Sequence, residues 1–152
     1  MLKALGLVVL VVSLGGCGRR PTEQRVDVSL ASKLIANNQL ASFSFCKEEV
    51  VAWDSILVLK PYCPLAEVER FGINNYLTTK LLVTNQAQDD LNCTLVFLEK
   101  GSCVGYSVIS RQIVDLSRLT NEKDFGFALI TKHNCVKKLY RNKTYGGVSM
   151  VD

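Results

Sequence analysis

Residues 92–110 read NCTLVFLEKGSCVGYSVIS, and this stretch decides the fold. Two apolar runs of similar length flank a short polar centre, a pattern that is typical of a β-hairpin. Glycine at the centre suits a tight turn, because it adopts a positive φ without steric cost. The sequence therefore predicts two antiparallel strands joined by a two-residue turn at Lys100 and Gly101.

The position of this turn predicts which residues face each other across the hairpin. Counting outward from it, Phe97 faces Val104 and Cys93 faces Val108, which places these side chains on one apolar face. In the same register Cys103 belongs to the other face, opposite Leu98. We therefore expect no disulfide between Cys93 and Cys103.

Shorter apolar runs on both sides of the hairpin predict alternating helices and strands. In chain order, they are a short helix with its N-cap at Ser29 and its apolar face at Leu30, Leu34 and Ile35, a half-buried strand over 42–45, a central strand over Ile56–Leu59, a helix from Pro64 to Gly72, a strand over Phe125–Thr131, and a C-terminal helix with Val136, Leu139 and Tyr140 on its inner face. This order predicts an α+β fold in which a single small domain has an antiparallel sheet with helices packed on one face.

The N-terminal segment has the features of a processing signal. Lys3 precedes an apolar run over 4–14, which is too short to span a bilayer, and the residues 14–17 read LGGC. This tetrapeptide resembles the lipobox of bacterial lipoproteins, which implies cleavage before Cys17 and lipidation of its thiol. The domain organisation that follows is a signal peptide over residues 1–16, a lipidated cysteine with a polar tether over 17–27, and a globular domain over 28–152.

The remaining cysteines bear on the compartment. They are Cys46, Cys63, Cys93, Cys103 and Cys135. This density suits an oxidising periplasm, and five cysteines allow at most two disulfides with one thiol left over, in about 15 arrangements. By resemblance to the sorting rule of enterobacterial lipoproteins, Gly18 after the lipidated cysteine favours the outer membrane, on its periplasmic face.

Two aromatic residues are candidates for partner recognition. Trp53 precedes the predicted central strand and Tyr62 follows it. Exposed tryptophan and tyrosine side chains are common anchors of protein interfaces. The structural alternative is that Trp53 fills the core, Asp54 caps a turn with its carboxylate, and Pro61 with Tyr62 ends the strand.

The C-terminal region is basic. It contains Lys132, Lys137, Lys138, Arg141 and Lys143, with no acidic residue between Asp124 and Asp152. On a helix, Lys137, Lys138 and Arg141 would point away from Val136 and Tyr140 and form either a solvated face or a site for an anionic partner such as lipid head groups, acidic glycans or an acidic protein surface. No motif supports nucleic acid binding.

The sequence offers little for catalysis. His133 is the only histidine, and a nucleophile made by Cys135 with His133 is the one conceivable pair. No two cysteines have the CxxC spacing of a metal site, and no phosphate-binding loop or hydrolase motif is present, so we expect no metal and no cofactor.

These observations leave a ranked set of functions. The first is a non-catalytic binding or assembly factor that is held at the membrane by its lipid and contacts an envelope protein or glycan. The alternative is an immunity or inhibitor lipoprotein that neutralises a toxin or a cell-wall-degrading enzyme. Removal of residues 1–16 lowers the formal net charge from +4 to +3, which counts against the neutralisation of a basic nuclease.

Overall fold

The computed structural model describes residues 24–25, 30, 33–34, 36, 41–48, 51–120, 126–141 and 147–152, with the backbone alone at 24–25 and 76–78. The lipobox, Cys17 and the predicted N-cap Ser29 lie outside the described residues. Among the helices that are described, none is both long and apolar enough to cross a membrane.

The described elements form an α+β fold, as predicted. The strands are β1 (Gln24–Arg25), β2 (Ser42–Ser44), β3 (Ser55–Leu59), β4 (Asn92–Glu99), β5 (Ser102–Ser110), β6 (Phe127–Thr131), β7 (Val136–Arg141) and β8 (Val148–Val151). The helices whose bounds are described are α1 (Leu65–Phe71) and α2 (Tyr76–Gln86), and a 3-10 turn covers Phe45–Lys47. The described residues of the predicted first helix, Leu30, Lys33, Leu34 and Ala36, are also helical. One sheet has the order β1-β5-β4-β3-β6 and the other has the order β2-β7-β8.

The larger sheet is antiparallel except at its edge, where the two residues of β1 lie parallel to β5. Gln24 and Arg25 belong to the predicted tether, but the backbone of these two residues pairs with Gly105 and Tyr106. An edge strand has unpaired N–H and C=O groups, and this pairing satisfies some of them. These two residues therefore belong to the sheet and not to a free tether.

The predicted central strand and the predicted helix after Pro64 are both present. Residues 56–59 of β3 are fully buried between β4 and β6. Helix α1 starts after Pro64 and ends at Gly72, which has a φ of 80° in the left-handed region. Glycine is the residue that adopts this helix-ending conformation most easily. Helix α2 was not predicted, because its apolar residues do not follow one clear stripe.

The hairpin of β4 and β5 is confirmed, but its predicted register holds only next to the turn. Leu98 faces Cys103 as expected, whereas Phe97 faces Gly105 because Val104 is an extra residue that forms a β-bulge. Beyond the bulge, Cys93 pairs with Ile109 and not with Val108. The bulge turns the fully buried Ile109 toward the main core.

The two faces of the large sheet are covered by different elements. Val68, Ile73 and Val83 from the helical region pack on the face that carries Leu57 and Leu59. The opposite face packs against the smaller sheet and includes, among its buried residues, Leu30, Leu34, Phe43, Ile56, Val58, Phe97, Ile109 and Met150. Helices α1 and α2 therefore cover one face, as predicted, whereas the second sheet and the helical residues Leu30 and Leu34 cover the other face.

The predicted C-terminal helix is wrong, because residues 136–141 form strand β7. This strand pairs with β2 on one side and β8 on the other. Val136 and Tyr140 are exposed, whereas Leu139 packs against the core as predicted. Lys137 also points inward; its side chain is 5% exposed and forms an ion pair of 2.5 Å with Asp152. A lysine at an inward position breaks the apolar–polar alternation that identifies a strand in a sequence. Such a lysine is buried only when it has a partner, and here the partner is distant in sequence.

Candidate functional site

A cleft of about 460 Å³ lies beside the start of β3 and the turn of the β4–β5 hairpin. Three segments meet here: the chain between β2 and β3, the hairpin turn, and the turn between β6 and β7. The cleft is lined by Cys46, Glu48, Val51, Ala52, Trp53, Asp54, Glu99, Lys100 and Lys132. It combines an aromatic side chain with five ionisable side chains of both signs, a composition that suits recognition of a polar ligand.

Trp53 lies on the floor of this cleft. It is 7% exposed, and its indole N–H donates a hydrogen bond of 3.0 Å to the backbone carbonyl of Glu48. The ammonium of Lys132 sits over the indole ring, 3.3 Å from the ring centroid. Since the N–H is already used, the part of the indole that remains to interact with a ligand is its π face, which Lys132 covers.

A disulfide connects two walls of the cleft. Cys46 and Cys135 are bonded, with their Cα atoms 5.4 Å apart. The amide of Phe45 also donates a hydrogen bond of 2.8 Å to the carbonyl of Cys135. These two links hold the segment that carries Glu48 and Trp53 against the turn that carries Lys132.

The hairpin turn is fixed to the cleft by Asp54. One carboxylate oxygen accepts a hydrogen bond of 2.6 Å from the amide of Lys100, and the other accepts one of 2.8 Å from the Ser55 hydroxyl. These bonds, that from the Lys100 amide first, hold the pKa of Asp54 below its usual value. Lys100 and Gly101 have φ values of 50° and 75°, so the predicted two-residue turn is present and Asp54 caps it.

The charged groups of the cleft differ in how far they are paired. The Glu48 carboxylate, with 8% of its side chain exposed, forms an ion pair of 2.6 Å with Lys33. Asp54 is engaged by the hairpin turn. Within the described part of the chain, Glu99, Lys100 and Lys132 form no ion pair through their side chains, and all three are exposed. The rim therefore carries charges that are available to a ligand.

The structure separates the two aromatic candidates. Tyr62 follows the far end of β3, with 62% of its surface exposed and a φ of 58°, whereas Trp53 precedes the strand. The five residues of β3 place these side chains on the order of 17 Å apart along the sheet. Trp53 and Tyr62 therefore do not form one patch.

The basic candidates do not form one helical face, because β7 is a strand. Lys132 lies in the cleft, and Lys137 is buried in its ion pair with Asp152. Lys138 and Arg141 are exposed, and Lys138 shares the outer face of β7 with Val136 and Tyr140. Lys143 lies outside the described residues. The only one of these cations placed at the cleft, within the described part of the chain, is Lys132.

The cysteines form one disulfide in the described domain, where the sequence allowed at most two, and three thiols are left instead of one. Cys63, Cys93 and Cys103 are buried and not disulfide-bonded, which agrees with the expectation that Cys93 and Cys103 do not pair. Burial raises the pKa of Cys63 and of Cys93 to about 12, so neither is a reactive thiolate near neutral pH.

The hypothesis of a Cys135–His133 nucleophile does not fit this structure. Cys135 has no thiol while it is bonded to Cys46, and His133 is exposed on the turn. Among the described residues, no group of three or more His, Cys, Asp or Glu side chains is arranged to hold a metal ion. Asp89 and Asp90 form an adjacent acidic pair in the loop before β4, where Asp89 accepts hydrogen bonds from the amides of residues 91 and 92.

The sequence pointed to Trp53 and Lys132 separately but not to the cleft that joins them. In the sequence, Glu99 and Lys100 belong only to the polar centre of the hairpin, and Cys46 is only a candidate for an unassigned disulfide. Their common location depends on contacts between residues up to 89 positions apart in the chain. Comparison of the chain with protein-family models, with curated proteins and with solved structures found no match.

Proposed function

We propose that this chain is a lipid-anchored protein of the bacterial cell envelope that binds a partner through the Trp53 cleft without catalysing a reaction on it. The observation that carries the proposal is the cleft itself, in which Trp53 faces one space together with the charges of Glu99, Lys100 and Lys132, none of which forms an ion pair with another described residue. Interface hot spots are enriched in tryptophan in partly enclosed sites, surrounded by polar groups.

The anchor of this proposal is Cys17. Two or more acyl chains give stable attachment to a membrane, and a tether of about seven residues before β1 reaches at most roughly 25 Å. Attachment confines the cleft to a thin layer and raises its effective concentration toward any partner in that layer. The residue after the lipidated cysteine, Gly18, favours the periplasmic face of the outer membrane.

The disulfide supports an oxidising compartment. Disulfides persist in the periplasm and outside the cell, and are rare where thiols are kept reduced. The Cys46–Cys135 bond also fixes two walls of the cleft relative to each other, which lowers the entropy lost when a partner binds. A rigid site without a reactive thiol or a described metal-binding group fits recognition better than catalysis.

The experiment is a crosslinking pull-down of the lipidated protein from its native envelope, followed by mass spectrometry. Because Trp53 is buried and its removal threatens folding, the test variants reverse the exposed charges at the cleft, Lys132→Glu and Lys100→Glu. The matched control is Lys138→Glu, which reverses an exposed charge on the outer face of β7. All three are first checked for a native circular dichroism spectrum.

A reproducible partner that is lost with the two cleft variants and kept with Lys138→Glu is the expected result. Loss with Lys138→Glu alone would move the binding surface to the outer face of β7 and refute the cleft. If the captured partner is a toxin or a wall-degrading enzyme, the function becomes that of an immunity or inhibitor lipoprotein. Recovery of no partner would contradict a binding function.

A further inference from the structure

We infer that the cleft accepts the guanidinium group of an arginine side chain from a partner protein, in the position over Trp53 that Lys132 occupies in the unbound protein. This inference rests on the proposed function and adds the chemistry of the ligand to it. Three observations carry it: the state of the indole, the charge of the cleft, and the freedom of the lysine side chain.

The indole offers the ligand one kind of interaction. Its N–H is bonded to the Glu48 carbonyl at 3.0 Å, so it has no donor for a sugar hydroxyl or a carboxylate. Its π face carries negative electrostatic potential and attracts cations. Lys132 demonstrates this preference, with its ammonium 3.3 Å from the ring centroid. A neutral ligand would have to displace that cation without replacing its charge.

The cleft becomes more negative when Lys132 leaves. With Lys132 over the indole, three carboxylates face two lysines. Without it, the carboxylates of Glu48, Asp54 and Glu99 are balanced within the cleft only by Lys100, while Lys33 pairs with Glu48 at 2.6 Å. A net negative space beneath a ligand favours a cation.

Lys132 is suited to leave because its backbone is held by the turn, while its ammonium is held by its contact with the indole and by no ion pair to another described residue. Asn134 fixes the turn by accepting a hydrogen bond of 2.6 Å from the amide of Thr131. Within the part of the chain that is described, no carboxylate pairs with the Lys132 ammonium. The side chain can therefore rotate into solvent without moving the wall of the cleft.

Arginine fits the vacated position better than lysine. A guanidinium is planar, stacks on an aromatic face, and is more weakly hydrated than an ammonium, so it loses less solvation on entering the cleft. Its fork of N–H donors also matches a carboxylate. Glu99, which is exposed and forms no ion pair with another described residue, is the carboxylate placed to receive it.

The test uses the single tryptophan of the chain as a reporter. The full-length protein is titrated with N-acetyl-arginine amide, and binding is followed by Trp53 fluorescence. N-acetyl-citrulline amide, which has nearly the same shape without the charge, is the matched probe. A trimer of N-acetylglucosamine tests a glycan. We expect saturable binding of the arginine probe at millimolar concentrations, and no saturation with the other two.

Variants of the cleft give opposite predictions. Lys132→Ala removes the competing cation and should tighten binding of the arginine probe about fivefold, whereas Lys132→Arg should weaken it, because arginine covers the indole more strongly. Glu99→Gln should weaken binding about threefold, the size of an exposed ion pair. Asp90→Asn and Lys138→Ala remove exposed charges outside the cleft and should leave the dissociation constant unchanged.

Three results would overturn the inference: equal binding of the arginine and citrulline probes, saturation by the sugar trimer, or no saturation by any probe. Its failure can be distinguished from failure of the proposed function. If a partner is still captured through the cleft while the arginine probe does not bind, the binding function stands and the assignment of the ligand is wrong.

Discussion

Reduction of the Cys46–Cys135 disulfide should greatly lower the stability of the domain. The bond joins residues 89 positions apart, so it closes most of the domain into one loop. In the chain-entropy model, a loop of this length contributes about 4.6 kcal/mol at 25 °C, because the cross-link removes conformations from the unfolded chain. Engineered and native disulfides often deliver less, so we expect a loss of roughly 3–5 kcal/mol.

This loss is large compared with the total free energy of unfolding of the domain. A domain of this size has a free energy of unfolding of roughly 5–15 kcal/mol, so the loss is about a fifth of it or more. The measurement is urea unfolding of the oxidised and reduced protein, followed by far-UV circular dichroism because Trp53 fluorescence responds to the nearby disulfide. The slope m should also rise on reduction, since the unfolded chain expands when the cross-link is removed.

The control is the double variant Cys46→Ser with Cys135→Ala, which should unfold near the reduced wild type and should not respond to reductant. Cys63, Cys93 and Cys103 form no disulfide that a reductant could break. A loss below about 1 kcal/mol would contradict the long-loop argument. A further loss when reductant is added to the double variant would show a second disulfide and contradict the cysteine pairing.

Two further predictions concern charged groups outside the cleft. Burial alone would raise the pKa of Asp115, but hydrogen bonds from Arg111 and Ser117 outweigh this effect and lower the pKa. The stability that this carboxylate contributes is therefore complete above its unfolded pKa and is lost as the pH falls through its folded pKa. Asp115→Asn should accordingly flatten the decline in the urea midpoint below about pH 4. Asp152→Ala leaves the buried ammonium of Lys137 without its carboxylate and should lower the free energy of unfolding by about 2 kcal/mol or more in the same assay. The added substitution Lys137→Met should restore most of that loss, and no recovery in the double variant would refute the ion-pair explanation.

Local patterns in the sequence were sufficient for the elements that depend on neighbouring residues. The turn at Lys100 and Gly101, the buried strand over 56–59 and the helix end at Gly72 each follow from a motif of a few residues. Each is a case in which the backbone preference of the residue and its structural environment agree.

Elements that depend on distant partners could not be predicted in the same way. Residues 136–141 have apolar positions that fit a helix, and only the pairing of Lys137 with Asp152 explains why a lysine points inward on a strand. The predicted register beyond the hairpin turn is wrong for a similar reason. Val108 and Ile109 are both apolar, so only their packing in the folded core determines which of them faces Cys93. The cleft could not be predicted because it forms where a disulfide and two turns from distant parts of the sequence come together.

The bulge at Val104 has a consequence for how the length of this chain can change. In a regular strand, the insertion or deletion of one residue turns every later side chain to the opposite face. Val104 is the extra residue between Cys103, which faces Leu98, and Gly105, which faces Phe97. The loss of this codon removes the bulge and leaves a regular hairpin in which Gly105 still faces Phe97 and Ile109 still faces Cys93, whereas the loss of a codon from 105 to 108 changes which residues face each other across the hairpin. Val104 is therefore the position in these two strands where a single-residue deletion keeps every pair of facing residues.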